Sequence, residues 1–337
     1  MCRLERKAVC CACCDTRPGR SGLARLGFFR PNLHRDMGAE SSTGRELNVL
    51  AASWAGLADG LNSVSISRVT TDPTFHQPAT SSRPREGYAI VMTACIDPST
   101  GPHQVVRSDP VVRTRDYADS LRVWINNPDP RLSRIVFLEN SGYPLDHLRE
   151  LVDSLPSNGK RVEFISMRCN ECPPGISYGY PELVMLGRGL VQSELAAESR
   201  YWIKVTGRLR FPKISNLLDR LPNDYLFAVD CRDNTLFVAS PQRFVTTQLM
   251  IFSADFYLQR LLGIESELTP GQAFIENLLF RKLLPLRGTP GAILRWPVNV
   301  DPVGKAAHWQ KSYGSLKHTG INSFRSVCRR LFPNWWV

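Results

Sequence analysis

Ala89-Ile90-Val91-Met92-Thr93 is an unbroken apolar run that stops at Asp97-Pro98-Ser99, and its reading decides the fold. A short continuous run bounded by turn residues fits a strand buried on both faces. Downstream of it the texture alternates. Tyr117, Leu121, Trp124 and Ile125 share one face of a helix over 116–125, which Pro128 and Pro130 close. Ile135-Val136-Phe137-Leu138 reads as a second strand. Leu145, Leu148, Leu151, Val152 and Leu155 mark a second helix, and Val162-Glu163-Phe164-Ile165 a third strand. A β-α-β-α-β series predicts a parallel sheet, because parallel neighbours need a crossover and that crossover is normally a helix. The expected class is α/β: a Rossmann-type, mostly parallel sheet with helices on both faces.

The alternation continues through a helix from Pro181 to about Ala197, a strand over Tyr201-Trp202-Ile203-Lys204-Val205, a short helix carrying Ile214, Leu217, Leu218 and Leu221, and a strand from Tyr225 to Val229. Leu236-Phe237-Val238 and the stretch from Phe244 to Phe252 then suit antiparallel or mixed strands. Gln272 to Leu284 is helical, and beyond Arg287 the chain is rich in Pro, Gly and aromatic residues as far as Trp335-Trp336. Residues 1–86 differ from all of this. They abound in Arg, Ser, Thr, Gly and Pro, with one short helical stretch from Glu46 to Leu57, and such composition rarely closes a core. They are expected to be a disordered extension, with Thr70 to Glu86 as a linker marked by Pro73, Pro78 and Pro84.

A chain of 337 residues, 43% hydrophobic and 22% charged, can bury a sizeable core. The net charge of +11 favours anionic partners. Lys-rich blocks are missing and the basic residues are mostly dispersed arginines, so nucleic acid is not an expected partner. No run reaches the ~18 to 20 apolar residues a membrane-spanning helix needs, since Asp59 interrupts the longest candidate, Leu47 to Val64. Arg3, Arg6 and Lys7 precede too short an apolar stretch for a secretory signal. A cytoplasmic protein is expected, and weak attachment to the inner membrane face through scattered arginines is left open. The ten cysteines read as free thiols rather than a disulfide scaffold. Cys10, Cys11, Cys13 and Cys14 lack partner ligands at useful spacing, and the single pair Cys169 and Cys172 falls short of a structural zinc set. His103, His147, His308 and His318 are isolated and form no catalytic or metal set.

In open α/β sheets ligands sit at the carboxyl ends of the parallel strands. Thr93 and Asp97 follow the first strand, Glu139 and Asn140 the second. An acidic residue after the second strand can accept hydrogen bonds from a ribose, and Glu139-Asn140-Ser141-Gly142 can equally be a turn and cap. Neither G-x-G-x-x-G after the first strand nor a phosphate-loop motif is present. At Lys204-Val205-Thr206-Gly207-Arg208 a strand ends in a charged turn where Lys204 and Arg208 can meet a diphosphate and Gly207 can let backbone approach it, or where the charges are merely solvated. Gly179-Tyr180-Pro181-Glu182 opens a helix, whose amides either face an anion or are simply capped.

Thr93-Ala94-x-Ile96-Asp97-Pro98, Phe137-Leu138-Glu139-Asn140-Ser141-Gly142, Gly179-Tyr180-x-Glu182 and Lys204-x-Thr206-Gly207-Arg208 together resemble a group of bacterial glycosyltransferases from capsule and O-antigen clusters. The resemblance runs from about Tyr88 to Trp296. It implies a GT-A-like domain over 87–337, with a nucleotide-sugar half at 87–233 and an acceptor half at 234–337. It implies a nucleotide-sugar donor and a polysaccharide or lipid-linked glycan acceptor, with Asp97 and Glu139 near the nucleoside, and Lys204 and Arg208 near the phosphates. A non-catalytic nucleotide- or glycan-binding protein of the same fold is the alternative. The D-x-D that usually holds a divalent cation is replaced by Asp230-Cys231-Arg232-Asp233. Asp230 and Asp233 can share Mg or Mn with the diphosphate or form a polar turn, and Lys204 and Arg208 can take over the cation's electrostatic role. An inverting transfer needs a carboxylate base. Glu276 is the first candidate and Asp255 the second, although Glu276 also suits the first turn of its helix electrostatically.

Overall fold

The computed structural model describes residues 85–101, 105–176, 179–233, 243–270, 274–305, 312–313, 316–332 and 336. The expectations for 1–84, including the extension, its helix and the Cys10 to Cys14 cluster, lie outside the described residues, as do those for Leu236-Phe237-Val238, His103, His308 and Trp335, and for the side chain of His318.

Four parallel strands form the first part of the sheet: β1 (Tyr88–Ala94), β2 (Arg134–Glu139), β3 (Arg161–Ser166) and β4 (Tyr201–Thr206). Their connections are α1 (Pro110–Ile125), α2 (Asp146–Ser154), and α3 (Gly179–Gln192) with α4 (Glu194–Ala197). The helix expected to run unbroken to Ala197 is split because Ser193 leaves helical geometry to cap α4, its side chain accepting from Ala196 N. Beyond α5 (Ile214–Leu218) come β5 (Phe227–Ala228), the hairpin β6 (Cys231–Asp233) and β7 (Arg243–Val245), β8 (Leu249–Ser253), α6 (Ala254–Arg260), α7 (Ile275–Leu283) and β9 (Ala292–Ile293). The main sheet has the order β3-β2-β1-β4-β8-β5-β9. Only β8 runs against the others, pairing antiparallel with both β4 and β5. The expected class is therefore the observed one, a mostly parallel sheet followed by a mixed part. β8, from beyond residue 234, lies between β4 and β5, both from before it.

Helices cover both faces. On one, Leu183, Met185, Leu186 and Leu190 of α3 and Leu278, Leu279 and Leu283 of α7 pack on Ala89, Val91, Val136 and Trp202. On the other, Tyr117, Leu121 and Trp124 of α1 and Ile214 and Leu217 of α5 pack on Ile90, Met92, Ile135 and Ile203. Strand residues alternate between the two clusters, so strands buried on both sides read as apolar runs. Each fully buried aliphatic side chain here contributes roughly 1.5–3 kcal/mol. At the amino ends of the strands Tyr88, Tyr201 and Tyr225 stack at 5.3 and 4.3 Å between successive ring centroids. A C-terminal helix, α8 (Leu316–Leu331), was not expected from the sequence. Its Phe324, Val327 and Leu331 are exposed and Cys328 is buried, so its apolar residues do not form the single inward stripe by which a core helix is read.

Candidate active site

The carboxyl ends of β1 and β4 meet the first turns of α3 and α7. Gly179 makes this approach possible: a Cβ there would lie 2.8 Å from Cγ2 of Ile275. Glu182 and Glu276, each in the first turn of its helix, are thereby drawn to one place. Lys204 completes it. Its neighbours Trp202 and Ile203 belong to opposite core clusters, so by strand alternation Lys204 shares Trp202's face, below α3. Its ammonium lies 2.7 Å from Glu182 Oε1 and donates to Thr247 O at 2.5 Å. The Thr93 hydroxyl donates to Glu182 Oε1 at 2.9 Å, and the Thr247 hydroxyl to Glu276 Oε1 at 3.1 Å. Thr93, Glu182, Lys204, Thr247 and Glu276 thus form one chain of contacts drawn from five elements or their ends.

The charges bias one another. Burial alone would raise the Glu182 carboxyl, but the Lys204 charge and hydrogen bond outweigh it and hold it below the usual carboxylate range, with a further contribution from Arg208. Glu276 shifts the other way. Burial raises it, and the nearby Glu182 carboxylate adds to the rise. Two carboxyls a short way apart are thus driven in opposite directions, the arrangement that separates a fixed anion from a proton acceptor.

A second feature lies two strands along the same edge. A cleft of about 370 Å³ at the ends of β1, β2 and β3 is lined by Asp97, Asn140, Tyr143, Arg168 and Asn170 among others. Glu139 holds the turn that carries its lining residues Ser141 and Tyr143. This fully buried carboxylate accepts from the backbone N–H of Ile96 at 2.9 Å, Ser141 at 3.0 Å and Tyr143 at 3.1 Å, and from the Ser141 hydroxyl. Asp97 caps its own turn, accepting from Ser99 N at 3.0 Å. Asn140 donates to Asn170 Oδ1 at 3.3 Å, while its own buried Oδ1 has no partner among the described residues. Such an orphaned acceptor is what an incoming N–H or O–H can satisfy. Arg168, Asn170 and Tyr143 were not among the sequence candidates, although applying the carboxyl-end argument to the third strand finds the first two. Thr247 was missed because nothing in the sequence places the start of β8 beside Lys204.

Several expectations need correction. Glu139 is fixed by backbone amides, so it shapes the cleft instead of offering its oxygens to a ribose. Gly207 makes room for protein rather than ligand: a Cβ there would stand 2.7 Å from Thr93 O and 3.2 Å from the Tyr117 ring, and its N–H donates to Thr93 O at 2.9 Å. Asp255 lies at the wrong edge. Ser253, two residues before it, pairs with Tyr201 at the amino end of β4, and the length of β4, ~16 Å at the usual rise, separates that end from Thr206. Asp255 is 78% exposed and pairs with Arg85 at 2.6 Å. Tyr180 is half-buried against the core, in the same helical turn as Glu182.

Asp230 and Asp233 do not fit a divalent cation. Asp230 is fully buried, with Arg329 Nη2 at 2.6 and 2.7 Å from its oxygens and Arg232 Nε at 3.0 Å. Asp233 accepts from Arg243 Nε at 2.8 Å. A cation would have to displace guanidinium groups already neutralising these carboxylates. Among the described residues no group of three or more His, Cys, Asp or Glu could hold a metal ion, and Cys95, Cys169, Cys231 and Cys328 are free thiols. Burial pushes the Cys95 and Cys169 thiols up to about 12 and about 11, which leaves neither as a nucleophile. No helix among the described residues is long and apolar enough to cross a membrane.

No family model matches this chain, and no curated protein is similar to it in sequence. Among solved structures it is similar to an active-site mutant of LgtC, at 14% identity over 57% of this chain and 69% of that one, with a TM-score of 0.37. It is also similar to mouse xyloside xylosyltransferase 1, at 8% identity over 61% and 83% of the two chains, with a TM-score of 0.34. The inositol-1-phosphate CTP transferase of T. maritima shares 14% identity over 64% and 86%, with a TM-score of 0.36.

Proposed function

We propose that this chain is a glycosyltransferase of GT-A-like layout, moving a sugar from a nucleotide-sugar donor to a hydroxyl of a polysaccharide or lipid-linked glycan, as in capsule and O-antigen synthesis. The reading places it in the cytoplasm, peripheral to the inner membrane face. One observation carries it: the chain Thr93–Glu182–Lys204–Thr247–Glu276 at the carboxyl ends of the strands, beside a polar cleft of nucleoside size.

In this reading the nucleoside occupies the cleft, with Asn140 and Asn170 hydrogen-bonding its polar edge and Tyr143 along its wall. Among the described residues two of the three Lys204 donors are engaged, by Glu182 and Thr247, and the third can meet a phosphate oxygen. Arg208 adds charge beside it, and the first turns of α3 and α7 add amide dipoles that favour an anion. These groups stabilise the negative charge that grows on the leaving diphosphate, the task a divalent cation performs elsewhere. The bond from the anomeric carbon to the phosphate oxygen breaks and its electrons leave with the nucleoside diphosphate. The acceptor oxygen bonds to that carbon, and its proton passes to Glu276, whose raised affinity suits it to receive one.

The test is a panel of nucleotide sugars incubated with the full chain, with release of nucleoside diphosphate as the readout. Release from one donor, lost in Lys204→Met, supports the proposal. Donor binding without release, with or without glycan acceptors, favours a non-catalytic binding protein.

A further inference from the structure

The cation expected at Asp230 is replaced by an excess of positive charge. Two arginines bond this one buried carboxylate and two more act on it through their charge. Arg329 and Arg232 bond it directly, and Arg295 and Arg325 lie near enough to feel its charge and that of Arg329. The Arg295 guanidinium is the unusual member: all three of its nitrogens are sealed from solvent and none has a hydrogen-bond partner among the described residues. Nε of Arg325 and Nε of Arg329 are likewise buried and unpartnered. A guanidinium does not escape this by losing its proton, and a buried, unpaired charge is strongly unfavourable. Against these four arginines stand two carboxylates, Asp230 and Asp301, which also acts on Arg325, so the local sum is two positive charges in excess. The cluster opens onto a groove of about 680 Å³ between α5, residues 297–299 and α8, where Arg329 forms part of the wall with Lys213, Arg220 and Arg330, against the single acidic Asp219.

The groove is not the Lys204 site. Val229 and Cys231 face the α3 and α7 side, so Asp230 alternates to the other, and α5 packs on that opposite face too. Lys204 shares the face of Trp202, with α3. Both features nevertheless lie at the same edge, because β5 and β9 run parallel to β4 and end there.

We infer that this groove, with Arg329 in its wall beside Lys213, Arg220 and Arg330 and the buried charges of Arg295 and Arg325 behind it, binds a phosphate or diphosphate group. A tetrahedral dianion can accept from several guanidinium N–H groups at once and would offset the excess charge. With the donor's diphosphate at Lys204, that phosphate belongs to a phosphorylated acceptor; it is the donor's only if the placement at Lys204 is wrong. The inference does not require the transfer reaction, since binding is measured alone.

The experiment is titration calorimetry of inorganic pyrophosphate into the full chain carrying Lys204→Met, which removes the other proposed diphosphate site. Saturable binding is expected, weakened at least tenfold by Arg295→Met and by the surface pair Arg220→Ala with Arg330→Ala, which leaves the buried cluster intact should the Arg295 variant fold poorly. Unchanged affinity in the surface pair, or no saturable binding in the Lys204→Met protein, overturns the assignment. Two further arms name the source in the otherwise wild-type chain. If Arg295→Met weakens binding of uridine and guanosine diphosphates, the phosphate is the donor's; if it weakens only geranyl diphosphate, it is the acceptor's.

Discussion

Replacing Lys204 by Met removes one member of a buried ion pair and keeps the length of the side chain. Lys204 is 3% exposed and its partner Glu182 22% exposed. The variant leaves the Glu182 carboxylate with the Thr93 hydroxyl as its near hydrogen-bond donor and leaves Thr247 O without the ammonium. Breaking a fully buried pair costs about 3–5 kcal/mol; the partial exposure of Glu182 lets water screen the orphaned charge and brings the expectation down to about 2–3 kcal/mol. Urea unfolding at pH 7 measures it as a lower midpoint with an unchanged slope. The sign with pH follows from the carboxyl. In the parent Glu182 titrates below its usual range, so the pair stabilises the fold above the unfolded carboxyl's range and is lost as pH falls. In Lys204→Met burial is no longer opposed by the ammonium, Glu182 rises, and the variant's deficit shrinks on acidification. Adding Glu182→Gln to Lys204→Met removes the orphaned charge and should recover at least half of the loss. A single variant within about 0.5 kcal/mol of wild type would refute the reasoning.

Gly207→Ala forces a Cβ to within 2.7 Å of Thr93 O and should cost about 1–3 kcal/mol, read as a lower melting temperature. Glu276→Gln should lower turnover about 100-fold or more with no loss of stability at pH 7, because burial already disfavours the charged form; Asp255→Asn, at the opposite edge, should leave turnover unchanged in the same assay. Asp129 is held at about 2 against an ordinary 3.8, chiefly by its hydrogen bonds from Arg131. Its contribution is present above 3.8 and lost as pH falls towards 2, so Asp129→Asn should remove on the order of 1–2 kcal/mol at neutral pH and flatten the acid limb of the stability profile.

The sheet was legible because strands buried on both faces leave unbroken apolar runs, as in Ala89–Thr93 and Ile135–Leu138. The roles of charged residues were less so, because a charge is defined by its partner. Lys204 reads as a solvated strand end until α3 sets Glu182 above it, and Asp230 reads as a metal ligand until α8 brings Arg329 from 99 residues away. Glu139 has the position of a ribose acceptor, but its acceptors are taken by the amides of Ile96, Ser141 and Tyr143. The choice between Glu276 and Asp255 depended on the direction of β8, which local periodicity does not encode.

Release of nucleoside diphosphate from a nucleotide-sugar panel, in the presence of a chelator, tests the account most directly. It predicts turnover of one donor that persists without divalent cations and disappears in Lys204→Met. Turnover abolished by the chelator, or retained in full by Lys204→Met, would contradict it.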